Sequence, residues 1–268
     1  MNKAARNAAH KGRLYLIPNT LDFGVEGAQV DLRSIIPAQV LEIAARLGHW
    51  AAENAKTTRA FLKRVDALAP LAQPLQQLDI QELPRPAKGQ QDKPGAASAS
   101  DARAWLQLLA PALDGHDIGL ISEAGLPAIA DPGAQLVAAA HAAGIEVIPL
   151  SGPSSLLMAL AASGLNGQSF AFVGYLPVDA HARSARIKEL EAWSLRHQQT
   201  QLMIETPYRN AALLDALLTH LKGGTRLSIS CGLSLENGWT RSASVADWRG
   251  KPQSVPDKVP AVFAILGA

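Results

Sequence analysis

The sequence predicts an α/β protein, and three observations predict it. Short apolar runs alternate with amphipathic stretches along the whole chain, which is typical of βα units and a mainly parallel sheet. Hydrophobic residues make up 48% of the 268 residues and charged residues 18%, so a sizeable core can form. Aromatic residues are only 5%, and Ala and Leu fill much of the apolar share, which favours helices packed on sheets.

The first half of the chain predicts five strands and four helices. The strands are expected at 13–18, 49–53, 75–83, 117–121 and 145–150, and the helices at 37–47, 56–65, 101–113 and 132–143. Ser100 is expected to be the N-cap of the third helix, and Asp131, followed by Pro132, the N-cap of the fourth. The Pro-, Gly- and Ser-rich residues 84–100 predict a linker or mobile loop, and residues 1–12 a flexible arm.

The second half continues with less regular alternation. Strands are predicted at 170–175, 201–205, 225–231, 239–245 and 259–266, and helices at 155–164, 180–197 and 206–221. A domain boundary is expected near Ser151, which gives two α/β domains, 13–150 and 151–268.

Composition excludes several classes of protein. A net charge of +2 is only weakly basic and gives no strong nucleic-acid signature. The single cysteine, Cys231, cannot form an intramolecular disulfide and is expected to be a buried apolar residue. The chain has no apolar run of about 18 residues, no metal-binding histidine spacing and no G-x-G-x-x-G motif, so we expect a cytoplasmic protein with no membrane association and no metal.

Two loops that follow predicted strands indicate a ligand site. The segment SEAGLPAIADPG, residues 122–133, is expected to contact ligand through 122–127, because ligands of open α/β sheets bind at the carboxyl ends of strands. Glu123 and Asp131 are carboxylates that suit hydroxyl or ammonium groups of a ligand, and for Asp131 helix capping is the favoured alternative. In PLSGPSSLL, Ser154 and Ser155 either cap the next helix or bind an acceptor-rich ligand such as a carboxylate.

Two further segments carry candidate acceptor-binding residues. In IETPYRN, Tyr208 and Arg209 are placed to stack on a substrate or pair with it. Lys56 and Arg59 lie three residues apart on one helical face, where they either neutralise phosphates or form a solvated surface.

These segments together resemble the tetrapyrrole methylase family, also called class III methyltransferases. The branch they resemble most is the bacterial 2′-O-methyltransferases that modify a cytidine of the small-subunit ribosomal RNA. The matching segments, in the family's order, are RLYLIP, AAENAKTTRAFL, IGLISEAGLPAIADPGAQLVAAAHAAGIEVIPLSGPSSLLMALAASGL, FAFVGYLP and MIETPYRN.

The resemblance implies an N-terminal domain with a parallel sheet, a C-terminal domain with a mixed sheet, S-adenosylmethionine in a cleft between them, and a homodimer. The candidate acceptor-binding residues remain Lys56, Arg59, Tyr208 and Arg209, and the candidates for removing a proton from the acceptor are Glu53, Lys56 and Glu123. The implied cofactor contacts are Pro18, Ser122, Glu123, Ala124, Gly125, Pro127, Ile129, Gly152, Ser154, Ser155, Glu205, Thr206, Pro260 and Ala261.

The departures from the family pattern fall mostly on the acceptor side. The first loop, Pro18–Asp22, lacks the usual glycine, and PRPAKGQQDKP replaces a His- and Asn-rich segment. Glu123 stands for an Asp and Leu126 for a Thr, and residues 232–236 are also altered. Three functions therefore stay open: methylation of RNA, methylation of a tetrapyrrole or other small acceptor, and non-catalytic binding of S-adenosylmethionine.

Overall fold

The computed structural model describes residues 10–22, 25, 29–84 and 99–268, with the backbone alone for 99–102. Contacts divide the chain into two compact units. The first contains the described residues up to Thr20 together with Asp31–Pro153, and the second contains those of Leu21–Val30 together with Ser154–Ala268. Of the predicted arm, residues 1–9 lie outside the described residues, whereas Gly12 donates a backbone hydrogen bond to Ala112.

The first unit is built on a five-stranded sheet whose order is β3-β2-β4-β1-β5 and whose strands are all parallel. The strands are β1 (Arg13–Ile17), β2 (His49–Ala52), β3 (Asp79–Glu82), β4 (Ile118–Ile121) and β5 (Glu146–Pro149). All four residues of β4 are buried, as expected of a central parallel strand covered by helices on both faces.

Helices cover both faces of this sheet. They are α1 (Ala38–Arg46), α2 (Ala55–Asp66), α3 (Ala99–Leu108), α4 (Ala110–Leu113) and α5 (Ala134–Ala142). Residues of α1 and α2 pack with Ile17 and Trp50 in one core, and residues of α3, α4 and α5 pack with Leu14 and Leu120 in another. Odd and even positions of β1 therefore enter different cores, as the two-residue period of a strand requires.

The chain changes direction across this sheet between β1 and β4. After β1 the chain passes to β2 on one side, and after β4 it passes to β5 on the other, although β1 and β4 are neighbours. Such a switch point leaves a crevice at the carboxyl ends of the two strands, which is where open α/β sheets bind ligands. The topology thus places the candidate site at the ends of β1 and β4.

The second unit has a mixed sheet with the order β6-β7-β10-β8-β9. Strands β6 and β7 are parallel, and β10 runs antiparallel to both β7 and β8. The strands are β6 (Phe170–Tyr175), β7 (Thr200–Ile204), β8 (Arg226–Cys231), β9 (Trp239–Ser244) and β10 (Ala261–Leu266); the helices are α6 (Ser155–Ser163), α7 (Ala180–His197), α8 (Asn210–His220) and α9 (Val245–Gly250). Alternate residues of β10 pack either with α6 or with α7 and α8.

The predicted parallel and mixed sheets are confirmed, but several local predictions are wrong. Ser100 lies inside α3 and is not its N-cap, and Pro111, which has no N–H, lies in the first turn of a separate α4. The first part of the strand predicted at 75–83 is a short 3-10 helix that begins after Pro74. Helix α9 was not predicted.

Asp131 is a further local error, because it is not a helix cap. Gly133 has a φ of 128°, which a residue with a side chain rarely adopts, and α5 begins only at Ala134. Asp131 therefore does not cap α5, and its carboxyl group is available for another role. No helix in the described part of the chain is long and apolar enough to cross a membrane.

Candidate functional site

The loops that follow β1 and β4 are joined by backbone hydrogen bonds at the switch point. Asn19 N donates to Gly125 O at 2.9 Å, and Gly125 N donates to Asn19 O at 3.2 Å. The buried Asn19 side chain also donates from Nδ2 to the carbonyl oxygens of Ser122 and Glu123, both at 3.0 Å. Asn19 was not among the predicted site residues. Its position directly after Pro18, at the end of a strand, is the sequence signal that could have identified it.

Two further contacts bring the loops after β2 and β5 into the same surface. Glu53, which follows β2, accepts a 2.9 Å hydrogen bond at Oε2 from the backbone N–H of Glu123. Gly152, which follows β5, lies against Pro18 so closely that an added Cβ would lie 2.2 Å from the Pro18 Cβ. Only glycine fits there, so the conformation of the Gly-Pro turn follows from its contact with the loop after β1.

The loop after β4 has an unusual backbone. Gly125, Ala128 and Ala130 have φ values of 66°, 66° and 65°, in the left-handed region. This conformation costs an alanine about 1 kcal/mol, so the surrounding contacts must hold it. Pro127 is buried beneath the loop, whereas Ile129 is 46% exposed. The predicted contact residues thus lie on a rigid loop.

Three carboxylates interact at this loop. Burial, together with the smaller effect of the negative charges of Glu53 and Glu123, raises the pKa of Asp131 to about 7. All three side chains are half-buried. Among the described residues, no group of three or more His, Cys, Asp or Glu side chains is arranged to hold a metal ion. What the arrangement offers is a carboxyl group that exchanges a proton near neutral pH.

Ser122 adds a polar atom that is not satisfied within the described residues. The residue is 2% exposed, and its Oγ has no hydrogen-bond partner there. A buried hydroxyl without a partner is costly, and such atoms occur at ligand sites.

In the second unit, the predicted residues Glu205, Thr206 and Arg209 lie together after β7. The Glu205 side chain is 3% exposed, and its Oε1 accepts a 2.8 Å hydrogen bond from Thr206 N. Arg209 Nη2 lies 2.9 Å from Glu205 Oε2, but it is not aligned for a hydrogen bond, so the contact is an ion pair. Arg209 is thus engaged by a residue of its own segment.

The segment before β10 lies beside this turn. Because β10 pairs antiparallel with β7, Ala261 and the preceding Pro260 are close to the carboxyl end of β7. Asn210 is fully buried, and its Nδ2 donates to Val259 O at 3.0 Å, while its Oδ1 has no partner among the described residues. Sequence reasoning missed Asn210, and its position after the Pro-Tyr-Arg turn is the only sequence signal.

The remaining predicted residues are placed as follows. Ser154 is at the N-cap position of α6 but its side chain forms no capping hydrogen bond, and Ser155 is the first helical residue. Tyr208 is 72% exposed. Lys56 and Arg59 are exposed on α2, and Ala124 is half-buried in the loop after β4.

Comparison with curated proteins gives several relatives that share one name. Residues of this chain are 40% identical over 123 residues to "Ribosomal RNA small subunit methyltransferase I" of Mesorhizobium japonicum, which covers 46% of this chain and 40% of that protein. The protein of the same name from Vibrio cholerae is 40% identical over 111 residues, covering 41% and 37%. The match thus spans about two fifths of the length of these relatives.

Comparison with solved structures supports the fold over nearly the whole chain. The methyltransferase CobJ aligns with a TM-score of 0.54 at 14% identity, covering 96% of this chain and 95% of CobJ. The uroporphyrin-III-C-methyltransferase of Thermus thermophilus aligns with a TM-score of 0.50 at 19% identity, covering 96% and 94%.

The family model described as "Tetrapyrrole (Corrin/Porphyrin) Methylases" matches residues 42–242, which is well over half of the chain and includes strands of both sheets. The chain belongs to the tetrapyrrole (corrin/porphyrin) methylase family.

Proposed function

We propose that this protein is an S-adenosylmethionine-dependent methyltransferase whose acceptor is the 2′-hydroxyl of a ribosomal RNA nucleotide. The observation that carries the proposal is the bonded surface at the switch point of the first unit, where the loops after β1, β2, β4 and β5 meet. Family membership supports the donor, and the names of the curated relatives support the acceptor.

The residues present fit S-adenosylmethionine. Its amino group and ribose hydroxyls are donors that suit carboxylate and carbonyl oxygens, and its carboxylate suits free N–H and O–H groups. Ser122 Oγ in the first unit and Asn210 Oδ1 in the second are buried polar atoms without a partner among the described residues, as expected where a ligand completes the hydrogen bonding. The residues that we propose to hold S-adenosylmethionine are Ser122–Pro127 and Gly152 of the first unit and Ser154, Glu205, Thr206, Pro260 and Ala261 of the second.

The bound cofactor supplies an electrophilic methyl group, and the chain must orient the acceptor and remove its proton. Among the carboxylates at the switch point, Asp131 suits the second task best, because its pKa of about 7 lets it take up a proton near neutral pH. Glu53 is already an acceptor for Glu123 N, so we propose that it holds the loop in position. Lys56 is exposed on α2 and is assigned to acceptor binding below.

The expected homodimer and cytoplasmic location are part of the proposal. Support for a second copy comes from the exposed aromatic residues of the edge strand β6, where Phe170 and Phe172 are 41% and 36% exposed on one face. Exposed apolar patches of this kind often mark protein interfaces.

Two measurements test the function. Calorimetric titration with S-adenosylmethionine is expected to show one site per subunit. The wild type is expected to transfer labelled methyl groups to small ribosomal subunits that lack the modification. Asp131→Asn should lower the rate of this transfer by about 10²- to 10⁴-fold and leave the affinity for S-adenosylmethionine unchanged. Transfer to a tetrapyrrole precursor but not to the subunits would instead establish a small acceptor, and cofactor binding without transfer to either would establish a non-catalytic binding protein.

A further inference from the structure

Helix α2 presents a row of cations that the cofactor site does not use. Thr58, Phe61, Leu62 and Val65 face the core of the first unit, while Lys56, Arg59 and Lys63 are exposed. At 3.6 residues per turn, these three positions fall within about 60° of one another around the helix and span about 10 Å along it. They form one continuous basic stripe, which we call the α2 stripe.

Among the described residues, the charges of the α2 stripe have no partner. None of the three side chains takes part in an ion pair or a side-chain hydrogen bond with another described residue. The nearby Asp66 accepts a hydrogen bond from Leu71 N, and Glu82 accepts one from Ala55 N. Exposed helical cations commonly pair with carboxylates three or four residues away. Lys56 and Arg59 have no such carboxylate within α2, and Asp66, which lies three residues after Lys63, forms no ion pair with Lys63.

The N-terminus of α2 does not itself offer an anion site. Its first three N–H groups are satisfied by side chains, Ala55 N by Glu82 and Lys56 N and Thr57 N by Asn54. An anion at this helix must therefore be bound by the long side chains of the α2 stripe and not by the helix terminus.

The position of the α2 stripe connects it to the candidate site. Helix α2 begins directly after β2, and the intervening Glu53 is bonded to the loop after β4. Lys56 thus lies near the carboxyl edge of the sheet, and Arg59 and Lys63 follow along the flank of the unit. A nucleic-acid strand with a nucleotide at the carboxyl edge can run along these three side chains, which span about 10 Å of the helix.

We infer that the α2 stripe binds the phosphate backbone of the RNA that presents the methyl acceptor. The inference rests on the RNA acceptor proposed above and adds the surface that holds it. Because phosphate contacts release counterions, the affinity should depend on salt in proportion to the number of cations that touch phosphates.

The test uses a variant of the full chain, called the α2 variant, that carries three substitutions together: Lys56→Gln, Arg59→Gln and Lys63→Gln. Its control removes the same charge from exposed positions of the second unit, Lys188→Gln, Arg196→Gln and Lys251→Gln. Binding of a single-stranded fragment of small-subunit ribosomal RNA is measured by anisotropy between 0.05 and 0.3 M salt, with thermal unfolding and S-adenosylmethionine affinity as checks on the fold.

At about 0.7 per phosphate contact, the slope of log K against log salt is expected to be smaller in magnitude by about 2 for the α2 variant than for the wild type. The α2 variant should also bind RNA on the order of tenfold to a hundredfold more weakly at 0.1 M salt. The control should keep the wild-type slope. Equal slopes for the wild type and the α2 variant would overturn the inference and leave the RNA acceptor standing. A wild type that binds S-adenosylmethionine but binds no RNA and methylates no ribosomal subunit would overturn the RNA acceptor, and the inference with it. An equal loss in both variants would mean that net charge, and not the α2 stripe, attracts RNA.

Discussion

At the scale of single residues, Asp131 shows how a three-dimensional environment changes the meaning of a local motif. Asp-Pro before an apolar run is a strong helix start in sequence, and that interpretation leaves the carboxylate no further role. In the structure, Gly133 delays the helix, and the Asp131 carboxyl group is instead near Glu53 and Glu123. Glu53 comes from a strand end far away in the chain, so no local pattern could have revealed this environment.

The raised pKa of Asp131 predicts how stability changes with pH. An aspartate in the unfolded chain ionises near pH 4, whereas Asp131 in the folded protein ionises near pH 7. Between these values the folded state binds the extra proton, so the stabilisation is complete below about pH 4 and is lost as pH rises through about 7. We expect the free energy of unfolding in urea to fall more from pH 5 to pH 8 in the wild type than in Asp131→Asn.

The matched control for this prediction is Asp257→Asn, because Asp257 is exposed in the second unit. It should retain the pH dependence of the wild type. If Asp131→Asn also retains that pH dependence, the pKa of Asp131 in the folded protein is that of an ordinary aspartate. Asp131 is then not the proton acceptor.

Residues of the candidate site were predicted where their role depends on neighbouring residues in the sequence, and they were missed where it depends on distant ones. Gly125 and Pro127 lie on the loop that was expected from a strand end followed by glycine and proline. For Asn19 and Asn210 the sequence gives only a position after a strand end or a turn, because their roles arise from hydrogen bonds to Ser122, Glu123 and Val259, which are distant in sequence.

At the scale of elements, the sequence predicted both sheets well because most strands are apolar runs bounded by turn residues. β6 and α7 have the predicted limits of 170–175 and 180–197. The errors occur where a proline or a glycine acts through backbone geometry, as at Pro74, Pro111 and Gly133. The order of the strands depends on pairing between distant segments, so it could be expected only from the family resemblance.

Helix α2 gives a prediction at this scale, because its N-terminus depends on one side chain. Asn54 Oδ1 accepts hydrogen bonds from Lys56 N at 2.9 Å and Thr57 N at 3.3 Å. Asn54→Ala removes this cap and should lower the free energy of unfolding by about 1 kcal/mol, whereas Asn54→Ser should retain most of it. Urea denaturation of the three proteins measures the difference, and an alanine variant as stable as the wild type would show that the cap contributes nothing.

At the scale of the whole molecule, the two units differ in how their sheets are built. The first unit is all parallel and has a switch point, and the second is mixed and has none of the same kind. In the first unit, the proposed cofactor-binding residues Ser122 and Gly152 lie on the loops that follow β4 and β5. Loss of cofactor binding should therefore follow from a change in the loop after β4 even when both cores are intact.

Ligand-dependent thermal unfolding tests this expectation. A ligand that binds only the folded protein stabilises it by about 2.7 kcal/mol at a concentration 100 times its Kd, which corresponds to a rise of several degrees in Tm for a protein of this size. S-adenosylhomocysteine should raise the Tm of the wild type in this way. Gly125→Val should abolish the rise, because a β-branched residue is strongly disfavoured at a φ of 66° and would displace the loop that contacts Asn19.

Gly167→Ala provides the control for Gly125→Val. Gly167 lies in the second unit, an added Cβ would meet no atom within 4 Å, and its φ lies outside the positive range that disfavours side chains. This variant should show the full rise in Tm with S-adenosylhomocysteine. A full rise in a folded Gly125→Val protein would remove the loop after β4 from the cofactor site, because the ligand would then bind without the backbone conformation that this loop adopts.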